Sequence, residues 1–233
     1  MTAKFENREP SVRHVDLRDD GIYTVEWDKS RSTTTILNNP KFSLLAEMSV
    51  EAFCDSYYGE ALLTCASALD AYFDFHIEVL NRAAGAQKED VETLLKLTSK
   101  QAERRLGAFL AVEVSLGKRQ PIYIKNSMVE LRNKVVHQGY LPSRDEALGY
   151  IQHITDFIVP RFADLHAVHG KTISKLFFEK AAKLPPSTNS KFSHSTLHWI
   201  MVVETLAFPQ PGRANDLNSY IEEVAKRKTQ TAD

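Results

Sequence analysis

The residues that could do chemistry lie closest together between Met128 and Gly139, where Arg132, Asn133 and His137 fall within two helical turns. A guanidinium presents a planar fork of donors to a carboxylate or phosphate. An imidazole is the side chain whose proton moves near neutral pH. Together they suit acid–base chemistry at a phosphodiester. The stretch has helical spacing: Ile124, Met128, Leu131 and Val135 recur at intervals of four, three and four and make one apolar face. Gly139 supplies a left-handed stop and Pro142 blocks continuation. At about 100° per residue, Asn126, Glu130, Asn133 and His137 form a polar stripe beside that face. Arg132 falls between Met128 and Val135 on one side and Val129 and Val136 on the other. It reads either as a snorkelling side chain or as a guanidinium held at a cleft. His137, in the last turn, complements the helix dipole whatever else it does.

An arginine followed by a histidine after four to six residues occurs three times: Arg8 to His14, Arg132 to His137, and Arg161 to His166. Only Arg132 is followed by a polar amide, Asn133, with an apolar pair before its histidine and a glycine just after. Arg132-Asn133-Lys134-Val135-Val136-His137 resembles the signature of the HEPN superfamily. The stretch from Tyr58 to Tyr72 also resembles the early long helix of HEPN bundles, and Asp70 stands where that family often carries an acidic residue. As a residue, Asp70 reads equally as a solvated helix acid.

The resemblance implies a homodimer in which the Arg132–His137 segments of two copies face one cleft. It implies a metal-independent endoribonuclease, needing no cofactor, that leaves 2′,3′-cyclic phosphate and 5′-hydroxyl ends. Two copies of His137 would divide the roles of base and acid, Arg132 would stabilise the phosphorane, and Asn133 would orient the histidine or the phosphate. Around them Asn126, Glu130, Lys134 and Tyr140, with Asp70, are candidates for RNA contact or support. The family setting implies a toxin–antitoxin or anti-phage role, with an antitoxin or activating partner. The alternative is a non-catalytic HEPN-like module that binds RNA, a nucleotide or a protein partner. Some HEPN toxins carry a modified tyrosine two residues after the histidine; here Gly139 stands there and Tyr140 follows.

Other groupings carry less. His194 and His198, and His166 and His169, could each share a helix face, but neither pair has a third metal ligand in view. There is no Gly-rich phosphate loop and no nucleophile elbow. Cys54 and Cys65 sit in apolar contexts and read as core residues; on one helix they would be about 16 Å apart, too far to bridge. Unpaired cysteines and the absence of a signal-peptide core at Met1–Glu6 predict a cytoplasmic protein with no membrane partner. A net charge of −1 argues against broad, non-specific coating of nucleic acid. Lys96, Lys100, Arg104, Arg105, Lys118 and Arg119 are the candidate basic patches.

The elements that must hold the central stretch are mainly α-helical: an antiparallel bundle with a small N-terminal β-hairpin and a C-terminal helical extension. Residues 1–41 read as an arm and hairpin, 42–184 as the bundle, and 185–233 as the extension. Gly21–Trp27 and Thr33–Leu37 have strand character. Helices are expected from Phe42, over Glu60 to Ala84, in one or two pieces before Gly117, and over Ile122–Val136. A further helix opens at a Ser143–Glu146 capping box, and Pro160 should kink or end it. Leu184–Ser190 reads as a linker, Leu197–Phe208 as a short apolar helix, and 216–228 as a last amphipathic helix.

Overall fold

The structure, a computed structural model, describes residues 15–28, 31–37, 39–120, 124–181, 190–195 and 216–230. The chain is mainly helical and resolves into two compact units. One comprises residues 1–38 and 181–197; the other comprises 39–180 and 198–233. The segment expected as a single C-terminal extension is therefore shared between them. The expected 197–208 helix and the Arg8–His14 pattern fall outside the described residues.

The smaller unit is a sheet of order β1-β2-β3. Strands β1 (Ile22–Asp28) and β2 (Arg31–Leu37) are antiparallel, in register from Ile22 opposite Ile36, with an irregularity between Glu26 and Asp28. The β-branched run Thr33-Thr34-Thr35-Ile36 suits a pleated strand. Thr34 shares a hydroxyl contact of 3.0 Å with Thr24, and Trp27 donates its indole N–H to Thr33 at 3.0 Å. Strand β3 (Ser190–Ser195) joins β2 in parallel, which corrects the expectation that His194 lies on a helix. The stretch Ser-Lys-Phe-Ser-His-Ser carries no strand signal of its own, and pairing with β2 supplies what its propensity does not.

The larger unit is built from α1 (Lys41–Cys54), α2 (Tyr58–Ala83), α3 (Lys88–Thr98), α4 (Ala102–Ser115), α5 (Asn126–Gln138), α6 (Arg144–Ala181) and α7 (Leu217–Gln230). Its centre is aromatic. Phe42 meets Tyr72 and Phe162 edge-on, each at 5.3 Å between ring centres, and Phe73 lies against Phe109 at 4.5 Å. Such pairs add about 0.5–1.5 kcal/mol each beyond the area they bury. The small residues Ala61, Cys65 and Ala68 are fully buried along α2 and let its neighbours approach closely. Cys54 and Cys65 stand on different helices, α1 and α2, rather than one, and both are free. Burial pushes the Cys65 thiol up to about 12, so it is a core residue and not a nucleophile.

Two sequence signals act as expected around α5 and α6. Gly139 adopts φ 64° and ψ 25°, and its N–H closes on the Lys134 carbonyl to end α5. Ser143 and Glu146 form the reciprocal capping box, with Ser143 N–H to Glu146 Oε2 at 2.8 Å and Glu146 N–H to Ser143 Oγ at 3.3 Å. Pro160 does not end α6; the helix runs through it, and the break in helical geometry comes at His169. Pro160 and Asp156 are both on the exposed face, where the carbonyl left without its N–H donor can be hydrated. No described helix is long and apolar enough to cross a membrane.

Candidate functional site on helix α5

Helix α5 buries only Val135; its Met128 and Leu131, with Ile124 just before the helix, pack partly against the core. This shallow seating leaves its other faces open. Arg132 is half-buried, and Asn133, Glu130, Lys134 and His137 are exposed. Val129 and Val136 remain 45% and 42% exposed, on either side of Arg132 and Asn133. Seven residues apart, they lie on one face of the helix.

Arg132 and Asn133 line a cavity of about 160 Å³ between α5, α2, the start of α4 and Tyr150 of α6. Arg132 Nη1 donates to Asn133 Oδ1 at 3.1 Å. Asn133 is thus tied to the arginine and makes no hydrogen bond to His137 among the described residues. Asp70 lines the same cavity, so it is not a freely solvated helix acid. Its Oδ2 is held by Arg105 Nη1 at 2.9 Å, while Arg105 Nε binds Asp74 Oδ1 at 2.9 Å. Arg105 also donates to the Ser99 carbonyl at 3.2 Å. Burial pushes the Asp70 carboxyl above its usual value, against the pull of Arg105 and Arg132. Burial likewise raises Asp74, against Arg105.

This arrangement sorts the two arginines. Arg105 is spent on two carboxylates and a carbonyl. Arg132 feels Asp70 at longer range but forms no ion pair among the described residues. It is the cation at this cavity with capacity left for an anion. Arg105 therefore leaves the list of candidate basic-patch residues, and so does Arg119, which pairs with Asp164 at 3.2 Å.

His137 does not line the cavity. Five residues beyond Arg132 on the same helix, it lies about 140° around the axis and about 7.5 Å along it. It has no hydrogen bond or ion pair among the described residues. Tyr140 bonds both Glu146 carboxylate oxygens at 3.1 Å, so its hydroxyl is committed to the start of α6. Asn126 opens α5, exposed and outside the cavity.

The rival arginine–histidine pattern on α6 is structural. Arg161 is only 8% exposed, donates to the Phe157 carbonyl at 2.7 Å, and lies 3.9 Å from the centre of the Phe157 ring. His166 and His169 hold no third ligand, and no metal-binding group of three or more side chains occurs among the described residues. Two features escaped the sequence reading. One is Arg105 bridging Asp70 and Asp74, although a four-residue spacing of acids on α2 does mark a shared face. The other is a buried chain in which Tyr72 Oη lies 3.1 Å from His76 Nδ1, and His76 Nε2 lies 2.5 Å from Glu113 Oε1.

No protein-family model matches the chain, and no curated protein or solved structure is significantly similar to it.

Proposed function

We propose that the protein is a metal-independent endoribonuclease of the HEPN type, acting as a homodimer whose α5 helices face one another. One observation carries this reading: Arg132 is half-buried beside a cavity, bonded to Asn133 and without an ion pair among the described residues, on a helix that ends in an exposed His137 with no partner among them. An arginine serving only the fold would look like Arg161, enclosed and stacked.

The chemistry follows from the groups. A base removes the 2′-OH proton, the oxygen attacks the phosphorus, and an acid protonates the leaving 5′-oxygen. The electron pair of the broken P–O bond goes to that oxygen, leaving a 2′,3′-cyclic phosphate and a 5′-hydroxyl. Arg132 stabilises the charge on the phosphorane oxygens. One His137 cannot act as base and acid in one step, so two copies across a two-fold share the work. Because His137 lies well round the helix from Arg132, the pairing of two α5 helices is also what would bring the imidazoles to a phosphate held by Arg132. The exposed Val129 and Val136 give that face an apolar component suited to self-association.

The specific observation favouring the alternative, a non-catalytic module for RNA, a nucleotide or a protein partner, is that the cavity holds Arg132 without His137. Purified protein incubated with total RNA and tRNA in EDTA, beside Arg132→Ala and His137→Ala, separates the two. Cleavage by the wild type alone, with cyclic-phosphate ends, is expected. Retention of full activity in His137→Ala, or abolition by EDTA, would overturn the proposal. The toxin or anti-phage setting, with an antitoxin or activator, belongs to the same proposal.

A further inference from the structure

The cavity beside Arg132 has walls that a phosphate does not need. Leu69 and Phe73 of α2, Leu106 of α4 and Ile124 line it with hydrocarbon. Its volume of about 160 Å³ is below the roughly 300 Å³ at which pockets for drug-sized ligands begin, a size that suits one flat ring system.

Tyr150, 3% exposed as a residue, is part of the lining. Its hydroxyl makes no hydrogen bond to a described residue and can donate or accept one from an occupant. Asn133 lines the outer side. Its oxygen accepts a hydrogen bond from Arg132, which leaves the amide N–H groups to donate. Arg132 completes the rim, carrying a charge that no neighbouring carboxylate claims by contact.

A hydrocarbon in this cavity would leave Tyr150 and Arg132 unanswered. A bare anion would answer Arg132 and leave the apolar walls unused. A planar heterocycle with donors and acceptors on its edge, joined to a phosphate, answers Arg132, Tyr150 and the apolar walls, and its edge donors can meet the Asp70 and Glu103 carboxylates that also line the cavity. We infer that this cavity takes one unpaired nucleobase of the RNA, with Tyr150 and Asn133 reading its edge and the adjoining phosphate lying on Arg132. The inference rests on the ribonuclease reading for its biological substrate, though not for its chemistry. It names the substrate class as single-stranded RNA, because a base stacked inside a duplex cannot enter such a slot. Tyr150 is then a specificity-determining residue and not a catalytic one.

The test is calorimetric titration of the full chain, in EDTA, with the four nucleoside 3′-monophosphates and with ribose 5-phosphate. One base should bind at least about tenfold more tightly than ribose 5-phosphate, the discrimination expected of a single buried polar contact. Tyr150→Phe should narrow the spread among the four bases. Ala102 is exposed at the mouth, so Ala102→Trp can block the slot without disturbing the core. That variant should lose the base-dependent part of binding and keep the ribose 5-phosphate part. Equal binding of all five probes, or base-dependent binding undiminished in Ala102→Trp, overturns the inference. Mapping of cleavage ends keeps the two readings apart. Cleavage in EDTA with no base preference at the cut upholds the nuclease and sinks the base slot. Base-dependent nucleotide binding without cleavage of any RNA upholds the slot and sinks the nuclease.

Discussion

Replacing Arg132 by alanine should abolish activity and spare the fold, and replacing Arg161 should do the reverse. In the folded chain Arg132 makes one exposed hydrogen bond, to Asn133, and a longer-range attraction to Asp70. Such contacts contribute about 0.5–1 kcal/mol together. In a chain of 233 residues, each kcal/mol moves Tm by about 2–4 °C, so Arg132→Ala should lower Tm by at most about 4 °C. Against the phosphorane of the proposed reaction the same side chain would be worth far more. Loss of one donor aimed at transition-state charge costs about 10²–10³ in rate, or roughly 2.7–4 kcal/mol. Arg161 is the opposite case. Its removal deletes a buried hydrogen bond to the Phe157 carbonyl and a guanidinium–ring contact at 3.9 Å, and opens space in the core. A loss of about 2–4 kcal/mol is expected, a fall in Tm of about 4–16 °C. Thermal unfolding followed by circular dichroism, beside single-turnover cleavage of a labelled RNA in EDTA, measures both quantities on the same preparations. A fall in Tm for Arg132→Ala as large as that for Arg161→Ala would refute the reasoning, since it would make Arg132 a fold residue. So would single-turnover rates within threefold of wild type.

The other predictions concern association, pH and backbone geometry. Val136→Asp places a charge on the exposed α5 face and should convert a dimer to a monomer by light scattering while Tm changes little; a variant that stays dimeric would remove α5 from the interface. Burial holds His153 below its usual value, helped by Lys125, and burial also lowers His169, helped by His76 and Arg119. The folded chain then binds fewer protons at these sites than the unfolded one, so their contribution is complete above pH 6.5 and shrinks as pH falls through the lowered values. The His153→Gln/His169→Gln variant should therefore lose less stability than wild type between pH 7 and pH 5.5, and parallel urea-denaturation curves would show this assignment wrong. Gly117→Ala should cost about 1–3 kcal/mol, because a Cβ there would lie 2.8 Å from the Glu113 carbonyl oxygen. Gly139→Ala meets nothing within 4 Å and carries only the strain of φ 64°, about 1 kcal/mol; a larger loss at Gly139 than at Gly117 in chemical denaturation would contradict this order.

Local signals decided which elements could be read ahead of the structure. The end of α5 follows from Gly139, and the start of α6 from Ser143 and Glu146, because both devices act within a few residues of themselves. The hairpin is legible for the same reason: β-branched runs flank a short polar turn. Strand β3 was not legible. Its hydrogen bonds go to a strand about 160 residues earlier, and nothing in Ser190–Ser195 announces that partner. Pro160 does not end α6, although a proline removes one N–H wherever it sits. Whether that matters depends on which side of the helix faces water, and Pro160 faces it.

The site divides along the same line. Arg132, Asn133 and His137 stand out as a spacing on one helix, and local spacing also places Arg132 apart from His137 around the axis. What spacing could not show is which arginine is free. Arg105 and Arg132 are both helical arginines near apolar residues, and a charge count treats them alike. Only the packing of α4 against α2 sends Arg105 between Asp70 and Asp74. That placement does two things for Arg132. It shares Asp70 with another cation, so the carboxylate attracts Arg132 without closing on it. It also commits Arg105 to Asp74 and the Ser99 carbonyl, so Arg132 is the arginine of the two with donors to spare. An arginine near a carboxylate ordinarily reads as a finished ion pair. Here the acid is already engaged, and the charge on α5 stays available at the rim of the cavity. Asp70→Asn should therefore leave Arg132 free and preserve anion binding, whereas Arg105→Ala should release Asp70 to capture Arg132 and suppress it. Phosphate titration of both variants measures this directly. If Asp70→Asn lost binding as fully as Arg132→Ala, Asp70 would be contributing to the ligand itself rather than setting the state of the arginine.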